Sequence, residues 1–81
     1  MKVRVLGIDL AKNVFRVHGV DGQGKIVVHR ELRRRQLLPF VSQLVPCLVG
    51  MEACGGAHHW AREIAKLSHD VRLMSPRFVR P

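Results

Sequence analysis

The stretch Val3-Arg4-Val5-Leu6-Gly7-Ile8-Asp9-Leu10 predicts an apolar β-strand that ends at a carboxylate. Its β-branched and bulky apolar residues suit a strand that is buried on both faces. A bare carboxylate is costly to bury, so we expect Asp9 at the open end of the strand, beside water or a cation. A hard oxygen ligand in that position suits Mg²⁺.

A second acid, Glu52, ends the apolar run Cys47-Leu48-Val49-Gly50-Met51. A short continuous apolar run that follows a helix is typical of a buried parallel strand. The sequence therefore predicts two strands that each end at an acid.

The segment between these strands predicts a hairpin and then a helix. Residues 13–20 alternate between apolar and polar side chains, Asp21-Gly22-Gln23-Gly24 supplies a tight turn, and residues 25–30 return as the second arm. Pro39 is acceptable only in the first turn of a helix, so we expect the helix to start near Gln36 and to end before Pro46. Its apolar face is Leu37, Phe40, Val41 and Leu44.

A second helix and a last strand follow Glu52. The turn Gly55-Gly56 precedes the helix, and residues 71–74 form the strand. The polar face of the helix holds His58, His59, Arg62, Glu63 and Lys66. Its apolar face holds Ala57, Trp60, Ala61, Ile64, Ala65 and Leu67. Trp60 is expected in the core, with base stacking as the alternative.

The element order is therefore β-β-β-α-β-α-β in an α/β domain with a mixed sheet. The strand that follows the first helix fits best beside the first strand, on its free edge. Asp9 and Glu52 would then lie at the carboxyl ends of adjacent parallel strands, where open α/β sheets bind ligands.

The composition indicates one small domain with a polyanionic partner. The chain has 81 residues, a net charge of +8 and a pI near 11.2, which favours nucleic acid, although a generally basic surface is the plainer interpretation. Two cysteines are too few for a disulfide scaffold. No signal peptide or membrane span is predicted, so we expect a soluble, cytoplasmic protein.

Two carboxylates at one sheet edge repel each other unless a cation lies between them. A shared Mg²⁺ or Mn²⁺ would relieve that repulsion and would serve phosphoryl transfer on a polynucleotide. The alternative is that Asp9 only caps a turn and Glu52 only caps the following helix.

Other residues allow further candidate sites. Arg33, Arg34 and Arg35 suit phosphate binding or a solvated start of the first helix. Gly55-Gly56 could hold a phosphate at a helix N-terminus, but the nearby Glu52 would repel it. Cys54 with the two adjacent histidines after it forms only half of a zinc site.

The remaining nucleophiles and histidines give weaker signals. His18, His29 and His69 are isolated in the sequence, and no Ser or Cys has the neighbours of an activated nucleophile.

Four segments together resemble the N-terminal part of the DEDD-type transposases of bacterial insertion sequences, which are relatives of the Piv invertase. They are Gly7-Ile8-Asp9-Leu10-Ala11-Lys12, Val49-Gly50-Met51-Glu52-Ala53-Cys54-Gly55, His58-His59-Trp60-Ala61-Arg62 and Val71-Arg72-Leu73-Met74-Ser75-Pro76-Arg77-Phe78-Val79.

The resemblance implies that residues 1–81 are the first part of a ribonuclease H-like, Holliday-junction-resolvase-type domain. Asp9 and Glu52 match the first two acids of the family, which hold Mg²⁺ or Mn²⁺, and Lys12 matches the lysine of its first motif. Lys12 joins Arg33, Arg34 and Arg35 as expected nucleic-acid-binding residues.

The family acts in DNA transposition and site-specific recombination by DNA strand cleavage and transfer. Its last two aspartates and its C-terminal domain would follow residue 81, so we expect the 81-residue piece to be inactive alone. Implied partners are DNA, a guide RNA in some relatives, and further copies of the full-length protein.

Two other functions fit parts of the sequence. A basic nucleic-acid-binding module would use the cationic residues and leave the acids incidental. A nucleotide-binding half of the sugar-kinase or actin type also begins with an apolar strand that ends in Gly-x-Asp, but it would have a Gly, Thr or Ser turn where this chain has Leu10-Ala11-Lys12.

Overall fold

A computed structural model describes residues 2–11, 13–53 and 55–74 as five strands and two helices. In chain order they are β1 (Val5–Leu10), β2 (Val14–Val20), β3 (Ile26–Arg33), α1 (Arg34–Ser42), β4 (Leu48–Glu52), α2 (Ala57–Ala65) and β5 (Asp70–Met74). The predicted α/β class with a mixed sheet is confirmed.

The five strands form one sheet in the order β3-β2-β1-β4-β5. β1 pairs with β2, and β2 with β3, in antiparallel directions, whereas β1 with β4 and β4 with β5 are parallel. The strand after the first helix therefore lies beside β1, as the crossover argument predicts.

Both helices pack on the same face of the sheet. One core cluster joins Leu37 and Val41 of α1 and Ile64 of α2 to inward side chains of the strands, such as Leu6 and Met51. The expectation that β1 is buried on both faces is wrong. Val5 is 40% exposed and Asp9 is also exposed, because neither helix covers the other face, which we term the open face.

Helix α1 starts at Arg34, two residues before the expected start. Pro39 is therefore its sixth residue and lies beyond the first turn, where its missing N–H leaves the Arg35 carbonyl without its helical partner. The helix tolerates this because Pro39 and Arg35 are exposed and water can reach that carbonyl. The helix ends at Ser42, and Leu44 is buried beyond it.

Two smaller differences concern β3 and α2. β3 continues to Arg33, three residues past its predicted end, because it stays paired with β2 as far as Val14. Ala65, expected on the apolar face of α2, is exposed at the end of that helix. Neither helix in the described part of the chain is long and apolar enough to cross a membrane.

Candidate functional site

Asp9 and Glu52 occupy neighbouring positions at the same end of the sheet. Ile8 pairs with Met51 in the parallel register of β1 and β4, so Asp9 and Glu52 are the next position on each strand. Side chains alternate along a strand, and Ile8 and Met51 point into the core. The two acids therefore lie side by side on the open face, at the carboxyl ends of their strands.

A cleft of about 410 Å³ lies between these acids, and both line it. Gly7 and Gly50 are paired one step earlier in the register, so backbone without side chains forms the floor. His18 and Met74 line the sides. At Gly50 the Met74 Cε lies 2.7 Å from where a Cβ would be, so this methyl group covers that part of the floor. At Gly7 the nearest atom to such a Cβ is the His18 carbonyl oxygen at 3.8 Å, so a ligand can approach the backbone there.

No side chain that the structure describes pairs with the carboxylates of this cleft. Arg16 lies opposite Asp9 in the β1–β2 register, but its guanidinium lies 3.8 Å from Glu31. Asp9 and Glu52 make no ion pair and no side-chain hydrogen bond with the described residues. Helix α2 has Gly56 at its N-cap and no side-chain cap. Among the described residues, neither acid caps a helix or a turn through its side chain.

The donor set suits a hard divalent cation. Mg²⁺ keeps several waters and binds through one or two carboxylates together with substrate phosphates. Asp9 and Glu52 provide two such carboxylates beside an open cleft. Among residues 2–11, 13–53 and 55–74, no three His, Cys, Asp or Glu side chains group closely enough to hold a metal ion by themselves. Water or a phosphate would therefore complete the coordination.

His18 and His29 are stacked rather than isolated, contrary to the expectation from sequence. Their rings lie 4.6 Å apart at an angle of 23°, because the hairpin register places the residues opposite each other on β2 and β3. Both line a second open-face cavity that Asp9 also borders. Counting back from the turn along both arms would have paired His18 with Val28, because the register shifts by one residue between Gly19 and Val20.

His69 is not isolated either, contrary to the expectation from sequence. It is buried, and its Nδ1 accepts the Cys47 backbone N–H at 3.1 Å. Its Nε2 lies 3.0 Å from the Val41 carbonyl and donates to it, since Nδ1 is already an acceptor. The Cys47 Sγ lies 3.5 Å from Nδ1. This imidazole joins the end of α1 to the start of β4, so its role is structural.

Burial raises the pKa of the Cys47 thiol above its ordinary value. The contact with His69 therefore does not produce an activated nucleophile. Because the folded chain holds this proton more tightly than the unfolded chain, the folded state loses stability as pH rises from the ordinary thiol pKa through the raised one.

We expect Cys47 to react slowly with iodoacetamide. In the Cys54→Ser variant Cys47 is the sole thiol, and mass spectrometry at pH 8 should show alkylation at least about tenfold slower in the folded chain than in urea. Equal rates in the two states would contradict the buried, protonated thiol.

Arg33, Arg34 and Arg35 form a cationic cluster at the same end of the sheet as the acids. All three are exposed, and with Asn13 they line a cavity of about 320 Å³. None of them makes an ion pair with a described residue. Cations in the first turn oppose the positive end of the helix dipole, and no acid in that turn offsets them. The cluster does not stabilise α1, which favours a role in binding anions.

Some expected site residues lie outside the described part of the chain. They are Lys12, Cys54 and residues 75–79. The nucleic-acid-binding, zinc and first-motif predictions that involve them stay predictions.

No family model matches the chain. It is similar to a Pseudomonas aeruginosa protein named "Probable family 20 transposase", at 56% identity over all 81 residues. It is also similar to the transposase for insertion sequence element IS1328 of Yersinia enterocolitica, at 46% identity over 98% of the chain. The transposase for insertion sequence element IS1111A of Coxiella burnetii is 40% identical over 98% of the chain.

The chain spans only 22–24% of the length of these relatives. Over essentially its whole length, it is therefore homologous to a part of proteins that are named transposases, two of them transposases of insertion sequence elements.

Proposed function

We propose that this chain is the part of a transposase that holds divalent metal for DNA strand cleavage and transfer. The observation that carries the proposal is the placement of Asp9 and Glu52 side by side at one open cleft. The homology to proteins named transposases supports it.

A ribonuclease H-like fold is part of the same proposal. Three antiparallel strands come first, and two parallel strands with helical crossovers then extend the sheet from β1. That arrangement agrees with the fold implied by the resemblance to DEDD-type transposases, in which the first strand and a later parallel strand carry the acids.

The residues of the cleft have separable tasks. Asp9 and Glu52 would hold Mg²⁺ or Mn²⁺, and Gly7 leaves room for a phosphodiester against the backbone. When bound, the metal supplies activation of the attacking oxygen and charge stabilisation of the leaving oxygen. The cationic cluster at the same edge would attract the DNA backbone towards the cleft.

A titration with Mn²⁺ tests the metal site. We expect the 81-residue chain to bind Mn²⁺ weakly by calorimetry, and Asp9→Asn and Glu52→Gln each to weaken binding at least about tenfold, because each removes one of two charged ligands. Asp70→Asn is the matched control. Asp70 is an exposed acid on the open face at the opposite end of the sheet, where it pairs with Leu48.

Two results would contradict the metal site. One is Mn²⁺ affinity that Asp9→Asn leaves unchanged, and the other is an equal loss in Asp70→Asn. If DNA binding persisted in either case, the chain would be a basic nucleic-acid-binding module without catalysis, and its acids would have no part in it.

A further inference from the structure

A fourth cavity lies at the same edge of the sheet as the acids, but on the side of the helices. Its volume is about 280 Å³, and it opens between the start of β2, the first turn of α1 and the start of α2. The residues that decide its chemistry are Leu10, Val14, Phe15 and Trp60 on the wall and Asn13 and Arg34 at the rim.

The wall of this cavity is aromatic and firmly held. Phe15 is buried and meets the half-buried Trp60 edge to face, with ring centroids 5.1 Å apart. His59 contacts Trp60 at the same distance. The indole packs against the core, as expected, and it also contributes surface to a cavity that is open to solvent. The Phe15 and Trp60 rings are inclined at 75°, so the half-buried indole is the aromatic surface against which a planar, unsaturated ligand can pack.

The rim carries charge and amide groups. Arg34 is exposed and makes no ion pair with a residue that the structure describes, and Asn13 is also exposed. A guanidinium suits a phosphate, and a carboxamide can both donate to and accept from the edge of a base. At Gly55 and Gly56 a Cβ would meet no described residue within 4 Å, so those residues leave the mouth of the cavity open on that side.

The position links this cavity to the acid cleft. Leu10 follows Asp9 directly in the chain, and alternation along β1 sends the two side chains to opposite faces of the sheet. A DNA strand with a phosphate at the acids could cross the sheet edge and place an adjacent base on the helix side. The volume of about 280 Å³ is slightly below the roughly 300–1,000 Å³ of sites for drug-sized ligands, which leaves room for a single base.

We propose that this cavity, which we term the base pocket, binds one unpaired nucleobase of the DNA substrate next to the phosphate at the acid cleft. This inference rests on the proposed DNA substrate. The base packs against Trp60, Asn13 contacts its edge, and Arg34 contacts the phosphate beside it.

Trp60 is the single tryptophan of the 81-residue chain, so its fluorescence reports on this pocket alone. A single-stranded DNA oligonucleotide, titrated in EDTA, is expected to quench the emission to saturation. An abasic oligonucleotide with the same number of phosphates should bind, as measured by anisotropy, and leave the emission unchanged. A blunt duplex should quench less than the single strand.

Variants at the rim and the wall of the base pocket test which residues bind the DNA strand. Arg34→Gln should weaken the quenching titration at least about fivefold, because a charged contact to phosphate is lost. Lys66→Gln is the control for the loss of one positive charge, since Lys66 pairs with Glu63 and does not line this cavity. Trp60→Leu keeps an apolar wall and should lower the affinity for labelled single strands about 5- to 150-fold.

Four outcomes would overturn the assignment. They are quenching by the abasic strand equal to that by the complete strand, DNA binding without any quenching, no DNA binding, and tighter binding of an RNA of the same sequence. The assay contains no metal, so its failure is distinct from failure of the metal site. If Mn²⁺ binding to Asp9 and Glu52 persisted, only the inference about the base pocket would be contradicted.

Discussion

Replacing Arg33, Arg34 and Arg35 with glutamine is expected to flatten the salt dependence of DNA binding by this chain. Each phosphate contact contributes about −0.9 to the slope of log affinity against log salt, so three contacts contribute about −2.7. Between about 50 and 200 mM salt, that share alone weakens binding roughly 40-fold. The variant should lose affinity at low salt and respond much less to added salt, as measured by fluorescence anisotropy with a labelled duplex.

A second triple variant controls for net charge. Arg16→Gln, Lys66→Gln and Arg72→Gln together remove the same three positive charges, but each of these side chains is in an ion pair, with Glu31, Glu63 and Asp70 respectively. We expect this variant to change the slope by less than about one unit. Equal effects of the two triple variants would show that only the overall charge attracts DNA.

Unfolding does not explain the expected loss in the cluster variant. All three arginines are exposed, and two of them lie in the first turn of α1, where cations oppose the helix dipole. Their removal should leave thermal stability unchanged or slightly raise it. A lower midpoint of thermal unfolding in the variant would therefore count against this interpretation of the cluster.

The substitution with the largest expected effect on stability is His69→Ala. It leaves the Cys47 N–H buried without a partner, whereas the Val41 carbonyl keeps the Leu44 N–H at 3.1 Å. An unpartnered buried N–H costs about 1–3 kcal/mol and the cavity left by the imidazole adds to that cost, so we expect a loss of about 3 kcal/mol in the free energy of unfolding. For a domain of this size that corresponds to a fall of roughly 12–24 °C in the thermal midpoint, which calorimetry would measure.

His58→Ala is the control for the loss of an imidazole, because His58 is exposed on α2. Its midpoint should stay within about 2 °C of the parent chain, as is usual for surface substitutions. His69→Asn should recover part of the loss, since its carboxamide oxygen can accept the Cys47 N–H. A His69→Ala chain as stable as the parent would show that the imidazole does not join α1 to β4.

The sheet could be predicted from sequence because its signals are local. The alternation in β2 and the apolar run before Glu52 each predict a strand by themselves, and the turn that ends at Gly24 predicts the hairpin between β2 and β3. The rule for crossover connections then placed β4 beside β1, which brought the two acids to one edge. The positions of the candidate site followed from the topology, while its chemistry stays a proposal.

The features that the sequence did not reveal depend on contacts between distant residues. His69 lies 22 positions after Cys47 and 28 after Val41, and nothing in its neighbourhood signals those hydrogen bonds. The start of α1 was misplaced because the rule for proline in helices assumes that the lost hydrogen bond cannot be tolerated. At Pro39 the helix continues through an exposed position, where solvent replaces the missing partner.

The pairing of β1 with β4 also affects how the chain folds. It joins Val5 to Leu48, 43 positions apart, whereas β1, β2 and β3 are joined by short turns. Closing a long loop costs chain entropy before any contact repays it, so we expect the hairpins to form early and the central parallel pairing to form late. Asp9 and Glu52 become neighbours only at that late step. Their joint affinity for a cation therefore appears only when folding is nearly complete.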